Sequence, residues 1–269
     1  MNIWDTEKDS EYGAIERWDI PALLYAMNKE EARSVEAVHA SIPQIAAFVE
    51  ALVPRMAGGG RLIYVGAGTS GRLGVLDAAE CIPTFGAPPG KVIGIIAGGE
   101  AALRAPVEAA EDDEAAAQTE LAALSLTAQD TVVGISASGR TPYVLGAVRY
   151  AKSIQALTAA ITCNPETPLE HSVDFPIVLR TGPEIVAGST RLKAGTATKM
   201  VLNMISTATF TRLGHVKGGR MIDLQLVSRK LHQRALRYLQ EATGLSTEEA
   251  EALLQRTQSL RRALEEASR

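Results

Sequence analysis

A glycine-rich turn follows a short apolar run early in the chain. Residues 66–71 read Gly-Ala-Gly-Thr-Ser-Gly and lead into an apolar segment with helical spacing. Glycines let a backbone turn tightly and approach a ligand closely, and the N–H groups at a helix N-terminus attract anions. With the hydroxyls of Thr69 and Ser70 beside Gly68, this turn predicts a site for a phosphorylated small molecule. A tight turn without a ligand is the alternative.

A second loop carries three hydroxyl groups around a glycine. Ser136, Ser138 and Thr141 surround Gly139 directly after an apolar run, and Pro142 stands where a helix would begin. Hydroxyls and free N–H groups can bind a phosphate without any lysine. The alternative is a serine-rich turn in which Thr141 is an ordinary helix cap. Two such loops on one sheet favour phosphate binding over two turns without a ligand.

Candidate acids are harder to single out. Glu80 comes near the end of the apolar segment after the first turn and precedes Pro83, where we expect the helix to break. A carboxyl there is either half-buried and reactive or an ordinary surface acid. Glu111 lies in the charge run 108–114. Such a run is usually the solvated face of a helix, and periodicity alone does not single out Glu111 within it.

Two basic side chains are further candidate site residues. Lys193 opens a long apolar segment, and a cation is mildly unfavourable at a helix N-terminus. We therefore expect Lys193 to meet an anion, which is a bound phosphate, a substrate carboxylate or Glu184; a solvated lysine is the alternative. His232 lies among basic residues of an amphipathic segment, where a surface or interface role is favoured over a catalytic one.

The elements that must position these residues alternate along the chain. Asn28 is predicted to cap a helix that precedes the sheet, and an apolar helical face follows at 42–53. Strand-like apolar runs come next, at 62–65, 92–96, 131–135, 157–161 and 175–179. Strands that alternate with helices predict an α/β fold with a parallel sheet covered on both faces. Ligands of such sheets bind beyond the carboxyl ends of the strands, where both loops lie.

Composition limits the class of partner. The 269 residues are 46% hydrophobic with a formal net charge of −4, so the chain can fill a core but has no basic field for nucleic acid or an anionic membrane. Cys81 and Cys163 make no disulfide framework, and the N-terminus has neither a basic start nor an apolar signal core. No apolar run approaches the roughly 20 residues that span a bilayer. We therefore expect a cytoplasmic protein whose partner is a small molecule.

Several long motifs resemble those of one enzyme family. They are GAGTSGRLGVLDAAECIPTFG from residue 66, IAGGE at 96–100, EAAED at 108–112, SASGRTPYV at 136–144, AGSTRLKAGTATKMVLNMIST at 187–207 and RMIDLQ at 220–225. Their order and length resemble the N-acetylmuramic acid 6-phosphate etherases, which have the sugar isomerase (SIS) fold. The similarity extends to the glucokinase regulatory proteins, whose related SIS domains sense sugar phosphates without catalysis.

The resemblance implies a reaction and roles for the residues above. Etherases of this family recycle cell-wall sugar: they remove D-lactate from C3 by elimination across C2 and C3 and then add water, without a metal or redox cofactor. The matching motifs imply Glu80 as the proton donor to the leaving oxygen and Glu111 as the acceptor of the C2 proton. They also imply an SIS-type three-layer sandwich with a helical C-terminal extension. Substrate and phosphate are expected to contact Gly68, Thr69, Ser70, Ser136, Ser138, Gly139, Thr141 and Lys193.

Two other functions stay open beside this one. An aldose–ketose isomerase would share C2 proton abstraction but need no leaving-group acid, and a non-catalytic sensor would need the phosphate loops alone. We expect an N-terminal arm at 1–35, the SIS domain at 36–222 and a C-terminal helical segment at 223–269. The apolar segments before the sheet and at 196–210 predict a homodimer in which the partner completes each site, with His232 as a candidate.

Several positions depart from the family pattern, including the arm around Tyr12-Gly13. Gly219 and Arg220 stand where the etherases usually have Asn and Leu, and Ser228 replaces the usual Asn before Lys-Leu. These changes leave both glutamates and both loops unaltered. They therefore bear on selectivity for the sugar or the lactyl group.

Overall fold

The computed structural model describes residues 4–226 and 228–268. Its helices and strands are, in chain order, α1 (Ile20–Ala40), α2 (Ile42–Ala57), β1 (Leu62–Gly66), α3 (Gly68–Phe85), β2 (Val92–Ile96), α4 (Glu114–Ala123), β3 (Thr131–Ile135), α5 (Pro142–Ser153), β4 (Leu157–Thr162), α6 (Pro168–His171), β5 (Phe175–Val178), α7 (Lys193–Arg212), β6 (Val216–Lys217), β7 (Arg220–Met221), α8 (Arg229–Thr243), α9 (Thr247–Thr257) and α10 (Leu260–Ala267). Residues 1–3 of the predicted arm and residues 227 and 269 of the predicted C-terminal segment lie outside the described ranges.

The five longer strands form one parallel sheet in the order β2-β1-β3-β4-β5. Gly66 pairs with Ile96 on one side and with Ile135 on the other, so the carboxyl ends of β1, β2 and β3 are level. Each of these five strands lies where an apolar run predicted it, with ends that differ by at most one residue, whereas the short strands β6 and β7 were not predicted. Continuous apolar runs mark these strands because helices cover both faces of the sheet.

Alternate residues of each strand belong to two separate cores, which gives the predicted three-layer sandwich. Leu62 and Tyr64 of β1 pack with α2, α3 and α7 on one face of the sheet. Ile63 and Val65 pack with α4 and α5 on the other face. The period of two along a strand sends neighbouring side chains to opposite faces, so a single buried strand contributes to both cores.

The helix start predicted at Asn28 is wrong. α1 begins at Ile20, directly after Asp19, whose Oδ1 accepts the N–H of Ala22 at 2.7 Å. Pro21 lies in the first turn, where a missing N–H is tolerated, so the helix starts upstream and Asn28 becomes an interior residue. α1 therefore continues through residue 35, and the division of the chain at 35 and 222 stays a prediction.

The apolar faces of α2 and α7 are buried within the chain. Phe48 and Leu52 of α2 lie in the same core as Val201 and Ile205 of α7. Of the apolar surface from which the homodimer was predicted, these helices therefore leave only a small part exposed, which includes Ile42 of α2 and Met204 of α7. More large apolar side chains are exposed on other helices, including Ile20, Leu24 and Tyr25 of α1 and Leu76 of α3.

The last three helices form a bundle with a core of its own, as expected for the helical C-terminal extension. Arg261 of α10 donates from Nε to Asp223 Oδ1 at 2.6 Å, and His215 Nδ1 lies 2.8 Å from Asp223 Oδ2. Asp223 thus joins the bundle to the chain that leaves α7.

Neither α1 nor any other single helix in the described ranges is long and apolar enough to cross a membrane. The pair α1 and α2 passes the same test of length and composition only when taken together, and the two helices are bent by 54°. In α2 the apolar residues, such as Phe48 and Leu52, are buried in the core.

Candidate functional site

The glycine-rich turn becomes a helix almost at once. β1 ends at Gly66 and α3 begins at Gly68, so Thr69 and Ser70 lie in the first helical turn. A Cβ on Gly71 would lie 2.6 Å from Ile96 Cγ1, so glycine is required for α3 to pack this close to the sheet. The first N–H groups of a helix have no partner within it, and the helix dipole favours an anion beside them.

A cavity of about 350 Å³ lies beside this helix start. Gly68, Thr69 and Arg72 line one side of it, and residues 106–111 line the other. Glu111 belongs to the second side and is exposed on the short 3-10 turn Ala110–Asp112. The structure thus brings Glu111 and the glycine-rich turn to one cavity.

The charge run 108–114 is not a single helix face. Glu111 lies in its own 3-10 turn, which follows Ala109 at a φ of +58°. Asp113 then caps α4, because its Oδ1 accepts the N–H groups of Ala115 and Ala116 at 3.0 Å each. The acidic residues of this run therefore have different positions: Glu108 and Glu111 line the cavity, whereas Asp113 caps α4.

Glu80 lies apart from this cavity. It comes twelve residues after Gly68 in α3, so the rise of an α-helix puts it about 18 Å from the helix start. Its side chain is exposed, and it does not line the cavity that contains Glu111. Within one chain the structure does not bring the two predicted catalytic glutamates together.

The helix break expected at Pro83 is wrong. α3 continues to Phe85 and ends at Gly86, which has a φ of +64° and donates its N–H to Ile82 O at 3.0 Å. A proline this close to a helix end removes only one hydrogen bond, so the left-handed glycine stops the helix instead. A Cβ on Gly86 would also lie 2.2 Å from Asp223 O.

A buried carboxylate that sequence reasoning missed holds α3 in place. Asp77 is 5% exposed, and its Oδ2 accepts the hydroxyl of Tyr64 at 3.1 Å. Its Oδ1 accepts Asn203 Nδ2 at 2.8 Å and Ser206 Oγ at 3.1 Å, both from α7. Burial raises the pKa of Asp77, although these hydrogen bonds oppose the shift. In the sequence, the sign of this residue is an acid within an otherwise apolar helical segment, three residues before Glu80.

The hydroxyls of the second loop bond to one another. Ser136 Oγ lies 2.8 Å from Thr141 Oγ1 and 3.2 Å from Ser138 Oγ. It also accepts the N–H of Gly139 at 3.1 Å. Gly139 has a φ of +65°, and a Cβ there would lie 2.4 Å from Thr167 Oγ1. The loop therefore holds its hydroxyls in one arrangement through its own hydrogen bonds and through close packing.

The start of α5 follows the prediction in position but not in capping. Pro142 is its first residue and Thr141 its N-cap residue. The Thr141 side chain makes no capping bond, because its hydroxyl bonds to Ser136. The alternative in which Thr141 is an ordinary helix cap is therefore wrong. We call residues 136–141 the hydroxyl loop. Since Gly66 pairs with Ile135, the hydroxyl loop and the glycine-rich turn begin side by side.

Lys193 is buried against an acid that sequence reasoning did not name. Its side chain is 0% exposed, and its Nζ pairs with Glu30 of α1. Glu184 instead accepts the backbone N–H groups of Lys193 and Ala194, at 3.2 and 3.0 Å. The carboxylate beside the Lys193 ammonium is thus Glu30 rather than Glu184, and a buried ammonium needs such a buried partner.

Two residues of the C-terminal region bind within the chain. His232 Nε2 lies 2.9 Å from Glu251 Oε1, so the half-exposed imidazole joins α8 to α9, which fits a surface role. Arg220, one of the departures from the family pattern, lies over the ring of Tyr238 at 4.7 Å and pairs with Glu241.

Known proteins similar to this chain establish its family. A protein of Jannaschia sp. (strain CCS1) named N-acetylmuramic acid 6-phosphate etherase is 55% identical over 232 residues, covering 86% of this chain and 73% of that protein. Another of the same name, from Christiangramia forsetii, is 49% identical over 261 residues, covering 97% and 95%. The chain belongs to the N-acetylmuramic acid 6-phosphate etherase family.

The domain families that match this etherase-family chain agree with its fold. The glucokinase regulatory protein N-terminal SIS domain matches residues 44–152, and the SIS domain matches residues 104–208. A solved phosphoheptose isomerase from Francisella tularensis has a TM-score of 0.56 at 17% identity, covering 72% of this chain and 99% of that chain. One from Neisseria gonorrhoeae has a TM-score of 0.53 at 18% identity, covering 74% and 100%. These similarities confirm the SIS-type fold.

Proposed function

We propose that the protein cleaves the D-lactyl ether of N-acetylmuramic acid 6-phosphate, giving N-acetylglucosamine 6-phosphate and D-lactate. The cavity shared by Glu111 and the start of α3 carries this proposal. There a carboxyl group that can take a proton lies beside backbone donors for an anion. Relatives that are 55% and 49% identical bear the name of this activity.

The reaction belongs to the carbon–oxygen lyases and ends with a hydration. When the sugar ring is open, the C1 aldehyde acidifies the C2 proton, which Glu111 removes to leave an enolate. The C3–O bond then breaks, and an acid protonates the lactyl oxygen as it leaves. Water adds across the C2=C3 double bond to give the product. Each positioned proton transfer contributes roughly 10²- to 10⁴-fold to the rate.

The 6-phosphate binds in this proposal at the edge where the two loops begin side by side. The glycine-rich turn supplies backbone N–H groups around Thr69 and Ser70, and the hydroxyl loop supplies Ser138 and Thr141. Neutral donors arranged in this way bind anions without a lysine. Lys193 is not needed for this role, because Glu30 already pairs with it.

The proton donor Glu80 comes from a second copy of the chain in this proposal. Its distance along α3 from the helix start, about 18 Å, is too large for one small sugar to reach both. Leu76, one turn before Glu80, is 50% exposed, and α1 exposes Ile20, Leu24 and Tyr25. Exposed apolar surface of this kind is typical of subunit interfaces. The protein is therefore a homodimer whose interface completes each site.

A cytoplasmic location fits the state of the cysteines. Cys81 and Cys163 are free and buried. Burial raises the pKa of each thiol to about 12, so neither is a ready nucleophile or an early target for oxidation. A reducing compartment is where free thiols are usually found.

Incubation with N-acetylmuramic acid 6-phosphate in deuterated water tests the reaction. We expect release of D-lactate and deuterium at C2 of the sugar phosphate product. Ketose formation without lactate would indicate an isomerase instead. Binding of the sugar phosphate without lactate release or exchange would indicate a sensor. Either result would contradict the proposed activity.

A mixing experiment tests whether two chains share each site. Glu80→Ala and Glu111→Gln chains are each expected to release little lactate alone. If each site takes one glutamate from each chain, a co-expressed mixture contains hybrid dimers with one intact site, and about a quarter of the activity returns. A mixture of dimers that stays inactive would contradict a shared site. A fully active monomer in light scattering would contradict the homodimer itself.

A further inference from the structure

One buried amide fastens the N-terminal segment 4–12 to the carboxyl edge of the sheet. Thr6 is 0% exposed although it precedes the first α-helix. Its N–H donates to Asn164 Oδ1 at 3.1 Å, and Asn164 Nδ2 donates in return to Thr6 Oγ1 at 2.8 Å. Asn164 follows β4 directly, with only Cys163 between. These reciprocal bonds fix the segment against the strand end.

The same amide reaches the hydroxyl loop. Asn164 Nδ2 also donates to Ala137 O at 2.9 Å, and Ala137 stands between Ser136 and Ser138. Asn164 is 0% exposed, so both of its amide protons and its carbonyl are satisfied inside the protein. A buried network of this kind holds its members in one arrangement, because the loss of any bond leaves a polar atom unpaired.

A second contact joins the N-terminal segment to the far side of the loop. The guanidinium of Arg140 lies over the ring of Trp4, 5.4 Å from its centroid. Arg140 follows Gly139, and its N–H donates to Ser138 Oγ at 3.3 Å. The segment therefore contacts the loop on both sides of Ser138, through Asn164 at one point and through Arg140 at the other.

The segment has a separate anchor that does not involve the loop. Tyr12 donates its hydroxyl to Glu30 Oε1 at 3.0 Å, and Arg33 pairs with Glu11 at 2.8 Å. These contacts attach the segment to α1. A substitution can therefore remove the contacts of the segment with α1 while its contacts with Asn164 and the loop remain.

We propose that Thr6 and Asn164 are positioning residues for phosphate binding, which hold the loop 136–141 so that its hydroxyls face the sugar phosphate. This inference rests on the proposed function, since it assumes that the loop binds the 6-phosphate. The N-terminal segment thereby acts on the substrate site although it contributes no catalytic group. Selective loss of affinity for the phosphorylated sugar is the expected consequence of breaking the bonds to Asn164.

Calorimetry with N-acetylglucosamine 6-phosphate tests this role in the full chain. Asn164→Ala is expected to raise the Kd about 10-fold and Thr6→Val about 3-fold, since each removes hydrogen bonds that support the loop. Thr6→Ser keeps the hydroxyl and should restore the wild-type Kd. In turnover, KM should rise with little change in kcat. The free sugar, N-acetylglucosamine, should bind each variant as it binds the wild type.

Tyr12→Phe is the matched control, because it breaks the other anchor and leaves Thr6 in place. It should lower the Tm without changing the Kd. A folded Thr6→Val protein that binds the sugar phosphate like the wild type would overturn the inference, and so would an equal loss of affinity in Tyr12→Phe. If Asn164→Ala does not fold, Thr6→Val decides alone. A wild-type protein that does not bind the sugar phosphate would instead overturn the proposed function.

Discussion

The glycine-rich turn after β1 and the hydroxyl loop after β3 begin side by side but offer different atoms to a ligand. The turn becomes helix within two residues, so its donors are the backbone N–H groups at the start of α3. The loop stays irregular over 136–141, and its donors are side-chain hydroxyls grouped around Ser136. At both Gly71 and Gly139 a Cβ would collide with a neighbouring residue. Gly139 has a positive φ in addition, which also favours glycine.

This difference shows that neighbouring anion sites are supported from different parts of the chain. The turn depends on the packing of α3, which Asp77 fixes to β1 and α7. The loop depends on Asn164 and, through it, on Thr6. A change in the packing of α3 should therefore affect the turn and Glu80, and a change in the N-terminal segment should affect the loop.

The largest expected effect separates the two glutamates, of which only Glu111 lies beside the turn. Glu111→Gln should abolish both lactate release and exchange of the C2 proton with deuterated water, because no enolate forms. Glu80→Ala should slow lactate release by roughly 10²- to 10⁴-fold while C2 exchange survives, because it serves only the leaving oxygen. Mass spectrometry of the sugar phosphate and a lactate assay measure the two steps. The opposite pattern would reverse the roles.

Substitution of the glycines should separate packing from backbone conformation. Gly71→Ala brings a Cβ within 2.6 Å of Ile96 Cγ1, and Gly139→Ala brings one within 2.4 Å of Thr167 Oγ1 at a φ of +65°. Each should lower the free energy of unfolding by about 1–3 kcal/mol in urea titrations. Gly68→Ala is the control, since its φ is +52° but no atom lies within 4 Å of the new Cβ. A control as unstable as Gly71→Ala would show that strain, not crowding, decides.

Removal of single hydroxyls should affect the two loops unequally. Ser138→Ala is expected to weaken binding of the sugar phosphate by about 1.5 kcal/mol, since its hydroxyl is a donor to a charged group and part of the loop's own network. Thr69→Val should weaken binding by only about 0.5 kcal/mol, because the backbone N–H groups of the turn remain. Calorimetry with phosphorylated and free sugar measures both. Equal affinity for the two sugars would remove the phosphate site from the proposal.

The smallest effect on catalysis is expected at the amino end of the sheet, remote from both loops. Burial raises the pKa of Asp130, but hydrogen bonds from Arg61 and Thr127 lower it to about 2. Because this value lies below the ordinary 3.8, the stability from Asp130 is present above about pH 4 and lost as the pH falls towards 2.

Asp130→Asn should therefore lower the Tm at neutral pH and flatten the fall of the Tm between about pH 4 and pH 2. The kcat at neutral pH should stay unchanged, because Asp130 contacts neither loop. Calorimetric melts over this pH range and a lactate assay provide the two measurements. A lowered kcat with an unchanged Tm would contradict the separation of the two ends of the sheet.

Helix ends were predicted less well than strands for a physical reason. A strand covered on both faces must be apolar throughout, so the runs of apolar residues mark it within one residue. Caps are weaker signals: Asp19 and Asn28 are both good caps, and α1 begins after the first, where Pro21 suits the opening turn of a helix. Pro83 likewise did not end α3, because Gly86 in the left-handed conformation ends the helix instead.

The sequence by itself determined the fold class, the family, and the two loops with Glu111 and Glu80 as candidates, since apolar runs and contiguous motifs are local patterns. Only the tertiary structure decided which groups meet. Lys193 pairs with Glu30 across 163 residues, Asn164 with Thr6 across 158, and Glu111 shares a cavity with the glycine-rich turn rather than with Glu80. Such partners are selected by the topology of the sheet and by the need of buried polar groups for hydrogen bonds. Neither condition can be predicted from the residues adjacent in the sequence.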